Sequence, residues 1–309
     1  MVRELLQDTI KDVGFEDLPT NWNSFDLKSF SKSKELWDYQ QEAVKNAIKV
    51  LWKYFEDFAD YQRGERPEVN HERKGKFLKW YKDNGLEEDL DIQLRNNTIK
   101  KRALIKLLDG YYPSRVEHLR TYERYVFNYK NFINRICFWM ATGSGKTLII
   151  IKLIRILGDL IDLEEIPPYD ILVLTHRDDL IDQFKRLIKE FNYANETKII
   201  LKELKEYPEV KRQSSLHGIT VFYYRSDNLS DEQKEKIIDF KNYDNDGKWF
   251  IFLDEAHKGD REESKRQHIY SILSRNGFLF NSSATFIDQR DIITCAFEFN
   301  LSSFIRSGY

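Results

Sequence analysis

The chain has 309 residues, enough for about two domains or for one domain with a large insertion. Hydrophobic residues at 41% and charged residues at 32% exclude a disordered or fibrous chain. A formal charge of −2 excludes any argument from global basicity, so contact with nucleic acid would need a local patch.

Residues 1–33 are mixed and polar, with Pro19 and a Ser/Lys cluster from Ser29 to Lys34, and read as an N-terminal extension. Met1 to Thr20 carry acids and no apolar core, which argues against a signal peptide. Residues 34–134 read as a mostly helical region. Leu36, Ala43, Val44, Ala47, Ile48, Leu51, Phe55 and Phe58 recur at three- and four-residue steps, one apolar helix face. Beyond Gly64 and Pro67 the segment turns charged and aromatic, with Lys74, Lys76, Lys79, Trp80, Tyr81 and Lys82 close together. Lys100, Lys101, Arg102 and Lys106 follow on a second amphipathic stretch, before a break at Gly110–Pro113. These Lys/Trp/Tyr clusters suit an electrostatic and stacking contact for nucleic acid. The interleaved Glu87, Glu88, Asp89 and Asp91 favour a solvated helical insertion instead.

From Arg135 the pattern changes. Ile136–Met140, Ile171–Thr175, Ile219–Tyr224, Trp249–Leu253 and Gly277–Asn281 each read as a strand buried on both faces. Lys146–Leu160 and Asp178–Phe191 have helical spacing between them. This alternation predicts an α/β domain over 135–309: a parallel sheet flanked by helices, with ligands at the strands' carboxyl ends. Leu148 to Leu163 is the most apolar stretch, but Lys152, Arg155, Asp159 and Asp162 break it, so no membrane span is expected. Two cysteines, Cys137 and Cys295, are too few for a disulfide framework or a cysteine zinc site, and suggest a reducing, cytoplasmic setting. The six histidines show no metal-ligand spacing.

Met140-Ala141-Thr142-Gly143-Ser144-Gly145-Lys146-Thr147 follows the first buried strand and opens a helix, the context a phosphate-binding P-loop requires. Its glycines let backbone N–H groups turn inward around phosphate oxygens at the positive end of a helix dipole. Lys146 would reach the β- and γ-phosphates of ATP, and the Thr147 hydroxyl would ligand Mg²⁺. Position 140 departs from the general pattern, with Met140 where glycine is usual. Asp254 and Glu255 close the run Trp249–Leu253. There Asp254 would hold Mg²⁺, and Glu255 would orient and deprotonate the attacking water. Together these residues imply a Mg-dependent NTPase.

Asp254-Glu255-Ala256-His257 resembles motif II of superfamily 2 helicases, and other segments share the resemblance. Ser283-Ala284-Thr285 looks like motif III, which in that family couples hydrolysis to nucleic-acid grip, a role implied for His257, Ser283 and Thr285. Gln40, in Leu36-Trp37-Asp38-Tyr39-Gln40-Gln41, looks like the upstream glutamine that reads adenine. Thr175-His176-Arg177-Asp178-Asp179-Leu180, with Gln183, resembles motif Ia, which implies that Thr175 and Arg177 touch the nucleic-acid backbone. The overall likeness is to the helicase subunit of type III restriction enzymes, over Leu36–Ala47 and Arg135 to Tyr309. It implies a RecA-like ATP-binding lobe of a DNA translocase acting on double-stranded DNA. It also implies a second lobe, a nuclease and a modification subunit supplied elsewhere. A second lobe finds no room after Thr285, so the chain is expected to be a first lobe that alone turns over slowly. An RNA helicase lobe and a nucleotide-dependent scaffold without motor activity remain as alternatives.

Overall fold

A computed structural model describes residues 5–58, 67–195, 198–210, 218–254 and 264–299. Short helices at Leu5–Ile10 and Thr20–Asn23 precede a long helix at Asp38–Phe55 and another at Pro67–Asp83. Strand β1 (Ile92–Arg95), a helix at Ile99–Asp109, β2 (Ser114–His118) and β3 (Glu123–Phe127) follow. Then come β4 (Arg135–Met140), helix Lys146–Asp162, β5 (Asp170–Thr175), helix Asp178–Ala194, β6 (Ile199–Glu203) and β7 (Ile219–Arg225). The two-residue strands β8 (Leu229–Ser230) and β9 (Ile238–Asp239) lead to β10 (Trp249–Asp254) and helix Lys265–Leu273. Strand β11 (Phe278–Ser283), helix Gln289–Ile293 and β12 (Cys295–Phe299) complete the described chain.

Seven strands form one sheet in the order β12-β4-β11-β10-β5-β7-β6, and every neighbouring pair in it is parallel. The apolar runs of β4, β5, β10 and β11 are buried, as strands covered on both faces require. Helix Lys146–Asp162 lies so close to β7 that a Cβ on Gly158 would stand 2.2 Å from Ile219 Cδ1. The fold is the expected α/β one, a RecA-like P-loop sheet flanked by helices. The sequence reading missed β6 and β12, the two edges of the sheet.

The described part of the N-terminal extension packs onto the sheet. Leu5, Leu6, Ile10, Leu18, Trp22, Leu27 and Phe30 are buried in the same core as the sheet. Trp22 Nε1 donates to Glu165 at 2.8 Å, Lys152 Nζ to the Ser29 carbonyl at 2.6 Å, and Asn195 to the Phe30 carbonyl at 3.0 Å. Leu5, Leu6 and Ile10 share one face of a helix of only six residues, too short for its period to stand out, and the other apolar residues are scattered. The mostly helical region 34–134 also contains an antiparallel sheet of β1, β3 and β2. Charged residues on both faces of β2 and β3, such as the neighbours Glu123 and Arg124, hid the alternation.

Helix Pro67–Asp83 docks beneath the sheet through buried polar side chains. Asn70 donates to the Arg275 carbonyl at 3.1 Å, and Lys74 Nζ to the Asn131 carbonyl at 3.0 Å. Burial, with Arg135, Arg275 and Lys130 nearby, pushes the Lys74 ammonium down to about 7. An unfolded lysine titrates near about 10.4, so the protonated form favours unfolding. The penalty is complete below the folded value and fades as pH climbs toward the unfolded one, by at most about 1.4 kcal/mol per pH unit. Lys74→Met should therefore show its greatest advantage in Tm over wild type near pH 6. Thermal unfolding across pH should find that advantage shrinking steadily toward pH 9, and a difference independent of pH would refute the buried charge. Trp22→Ala should cost about 3–5 kcal/mol in denaturant unfolding, as for any core aromatic.

Candidate nucleotide site

The strand register sets the site. Asp254 lies opposite Ser282, and Ser282 opposite Phe138, two residues before β4 ends at Met140. One residue beyond the Leu253–Leu174 pair, Thr175 ends β5 beside Asp254. The carboxyl ends of β4, β11, β10 and β5 thus share one rim, and β10 stands two strands from β4, roughly 10 Å at the usual spacing.

At that rim the chain leaves β4 and turns into helix Lys146–Asp162. Gly143 and Gly145 carry the turn with φ of +84° and +78°, in the left-handed region that glycine tolerates. Met140 has no such conformation, being the buried last residue of a strand, so the missing glycine there costs nothing. Lys146 is buried, and its Nζ donates to the carbonyls of Ala141 at 3.0 Å and Met140 at 3.3 Å. Ser144 Oγ donates to the Ala141 carbonyl at 2.7 Å, closing the loop on itself. Thr142 and Gly143 are exposed, and Thr147 is half-buried at the helix start. The first turn of any helix leaves its N–H groups without intrahelical partners, a ready site for anionic oxygen.

Gln40 is buried against this loop. Its Nε2 donates to the Ser144 carbonyl at 2.9 Å, and its Oε1 accepts from Trp37 N at 2.9 Å. An amide has two donors and two acceptor lone pairs, so one of each remains. Tyr39 was not expected here, yet its hydroxyl donates to the same Ser144 carbonyl at 2.8 Å. Its ring stacks on Phe299 at 4.1 Å between centroids. Only the phenol's position next to Gln40 could have signalled it.

Ser283, the last residue of β11, is buried, and its Oγ accepts from Thr285 N at 3.1 Å and donates to the Thr285 carbonyl at 2.7 Å. This is a Ser turn rather than a helix cap, and it leaves Thr285 exposed. Trp139 of β4 ties the turn down by donating from Nε1 to the Ala284 carbonyl at 3.0 Å. Thr175 is buried, whereas Arg177, at the start of helix Asp178–Ala194, is exposed. Arg177 Nε donates to Asp179 at 2.8 Å, and that hydrogen bond holds the Asp179 carboxyl below the usual range. Arg225 stands opposite Thr175 in the register and pairs with Asp178 at 2.8 Å and Asp227 at 2.6 Å. It adds a second cation to this end of the sheet that motif matching had not assigned. Glu255 and His257 lie outside the described residues.

The rim therefore unites Lys146, the loop Thr142–Thr147, Gln40, Asp254, Thr175 and the Ser283–Thr285 turn. A glycine turn between a buried parallel strand and a helix, with a carboxylate ending a strand two places away, is the arrangement of a P-loop nucleotide-binding fold. A family model described as type III restriction enzyme, res subunit, matches residues 33–288, and the chain belongs to that family. Among solved structures, the crystal structure of the UvsW helicase from bacteriophage T4 is similar at 13% identity and a TM-score of 0.33, over 95% of this chain and 93% of that one. No curated protein sequence matches the chain.

A Cβ on Gly145 would stand 2.3 Å from Gln40 Nε2 and would also strain a left-handed residue. Gly145→Ala should weaken binding of a fluorescent ATP analogue at least about tenfold, or about 1.4 kcal/mol. Adding Gln40→Ala should restore part of the loss. No recovery in the double variant would show that the clash is not the cause.

Proposed function

We propose that this domain is the Mg-dependent ATPase motor of a DNA helicase or translocase in a restriction-type defence enzyme. The observation that carries the proposal is the shared rim: Asp254 ends β10 level with the strands that bracket the glycine loop. Thr142, Gly143, Ser144, Gly145, Lys146 and Thr147 wrap the phosphates of ATP, with Lys146 released from its two carbonyls onto the β- and γ-oxygens. Gln40 uses its remaining donor and acceptor for adenine.

Thr147 and Asp254 offer a hydroxyl and a carboxylate, the hard oxygen donors that suit Mg²⁺. Magnesium in such sites keeps waters and substrate oxygens as its other ligands, so two protein donors suffice. When bound it would neutralise charge on the phosphates. Glu255 takes the proton of the attacking water, and no covalent intermediate on the protein is needed. His257, Ser283 and Thr285 report the phosphate state to the nucleic-acid contacts. Arg177 and Thr175 form those contacts on double-stranded DNA, Arg177 exchanging Asp179 for a phosphodiester oxygen. An exposed ion pair contributes at most about 1 kcal/mol, so the exchange is cheap. Partners that fit this reading are a second motor lobe, a nuclease and a modification subunit. The buried thiols Cys137 and Cys295 support a cytoplasmic setting, and among the described residues no helix is long and apolar enough to cross a membrane.

Lys146→Ala should abolish binding of ATP. Glu255→Gln should keep ATP affinity while lowering DNA-stimulated turnover by about 10²–10⁴, the usual worth of a positioned base. Steady-state phosphate release with duplex DNA and duplex RNA compared side by side checks both. Wild-type turnover in Glu255→Gln would sink the assignment, and stimulation by RNA alone would move the domain to the RNA helicases.

A further inference from the structure

The chain's small net charge conceals a segregation. Residues 92–127 hold eight Lys/Arg against three Asp/Glu, a charge of +5, so the rest of the chain carries −7 against the total of −2. This span is one structural module, the sheet β1-β3-β2 with helix Ile99–Asp109. It docks beneath the amino ends of the large sheet. Tyr112 Oη donates to the Ser271 carbonyl at 3.0 Å and its ring meets Phe132 at 4.9 Å, while Tyr111 lies under Arg275 at 5.1 Å. The nucleotide rim is at the opposite, carboxyl ends of the strands.

Within the module the cations are placed where folding alone disfavours them. Arg95 and Arg124 are direct cross-strand partners, and like charges so placed repel. Glu117, opposite Arg124 on β2, is shared: it accepts from Arg124 at 2.7 Å and pairs with Arg115 at 3.2 Å. One carboxylate thus serves two guanidiniums, and the face stays positive. Lys100, Lys101 and Arg102 occupy the first turns of helix Ile99–Asp109, which has no acid in its first turn, although the helix dipole opposes cations there. Lys100, Lys106 and Arg120 are exposed. A polyanion laid against either surface would relieve the repulsion there.

We propose that the module Ile92–Phe127 is a second, sequence-independent contact for the phosphodiester backbone of duplex DNA, separate from the contact at Arg177. The choice of a backbone rests on the surface chemistry. Tyr122, the half-buried ring beside the basic face, is already covered by Arg95 at 5.2 Å, so it offers no open platform for unpaired bases. A duplex presents the denser charge, about one phosphate per 1.7 Å of axis. The inference rests on nucleic acid being the motor's partner, but not on how ATP is used.

The test uses the full chain and a fluorescein-labelled duplex of about 20 base pairs, read by anisotropy over a sodium chloride series. Lys100→Gln/Lys106→Gln/Arg120→Gln should weaken binding at least about tenfold at low salt and flatten the log–log salt slope by about 2–3. Binding of a fluorescent ATP analogue should be unchanged in this variant, which also shows that it folds. Lys146→Ala should do the reverse, losing the nucleotide and keeping the duplex. Wild-type affinity and slope in the triple variant would overturn the proposal while leaving the motor reading intact. Absence of any duplex binding by the wild type would overturn both. Equal or tighter binding of a single strand of the same length, lost in the triple variant, would overturn the duplex assignment.

Discussion

One carbonyl fastens the glycine loop to the helix that precedes it in the chain. Ser144 O takes a hydrogen bond from Tyr39 Oη and another from Gln40 Nε2, both on the first turn of helix Asp38–Phe55. A loop of glycines has little conformational preference of its own, and its left-handed residues carry a large entropic cost on ordering. Two donors from a rigid helix on a buried carbonyl supply the missing restraint. The same carbonyl makes the nucleotide site a joint property of two segments 104 residues apart. A change at the Gln40 amide is felt directly in the glycine loop.

The parallel sheet supplies the rest of the geometry. Because all seven strands run the same way, every strand's carboxyl end meets the same edge, and residues far apart in sequence are brought together by register alone. Asp254, Ser283 and Thr175 need no contact among themselves to belong to one site. The turn after β11 is fastened to β4 through Trp139 and the Ala284 carbonyl. A shift of the Ser283–Thr285 turn would therefore be felt at the strand that leads into the glycine loop.

Legibility in the sequence followed the local strength of each signal. The five central strands announced themselves because burial on both faces forces unbroken apolar runs such as Trp249–Leu253. β6 and β12 are edges, paired on one side only, and a five-residue strand with Lys202 and Glu203 carries little pattern. The glycine loop was readable because its chemistry demands specific residues in fixed order, whereas Tyr39 was not, since its role depends on a contact across 105 residues. The core residues of 5–30 went unread for a related reason: their partners lie far along the chain, and the helix that carries Leu5, Leu6 and Ile10 has only six residues. Family membership restores part of what pattern loses, as the match over 33–288 shows, but it leaves residues 5–30 to the structure.

The two ends of the sheet divide the work. At the amino ends the polar groups are turned on one another. Arg135 donates to Asp291 at 2.9 Å and to Ser271 Oγ at 2.9 Å, and Asn134 bridges the Ser274 and Gly277 carbonyls at 2.7 and 2.9 Å. Removing either partner of such a buried pair strands a charge at a cost of about 3–5 kcal/mol, so this end is rigid and chemically closed. At the carboxyl ends the glycine loop and the Ser283–Thr285 turn instead leave Thr142, Gly143 and Thr285 exposed. A basic module added at the closed end gains a firm footing in Ser271 and Phe132 without touching the reactive end. That separation sets the basic module and the glycine loop at opposite ends of one strand, β4, which runs from Arg135 to Met140.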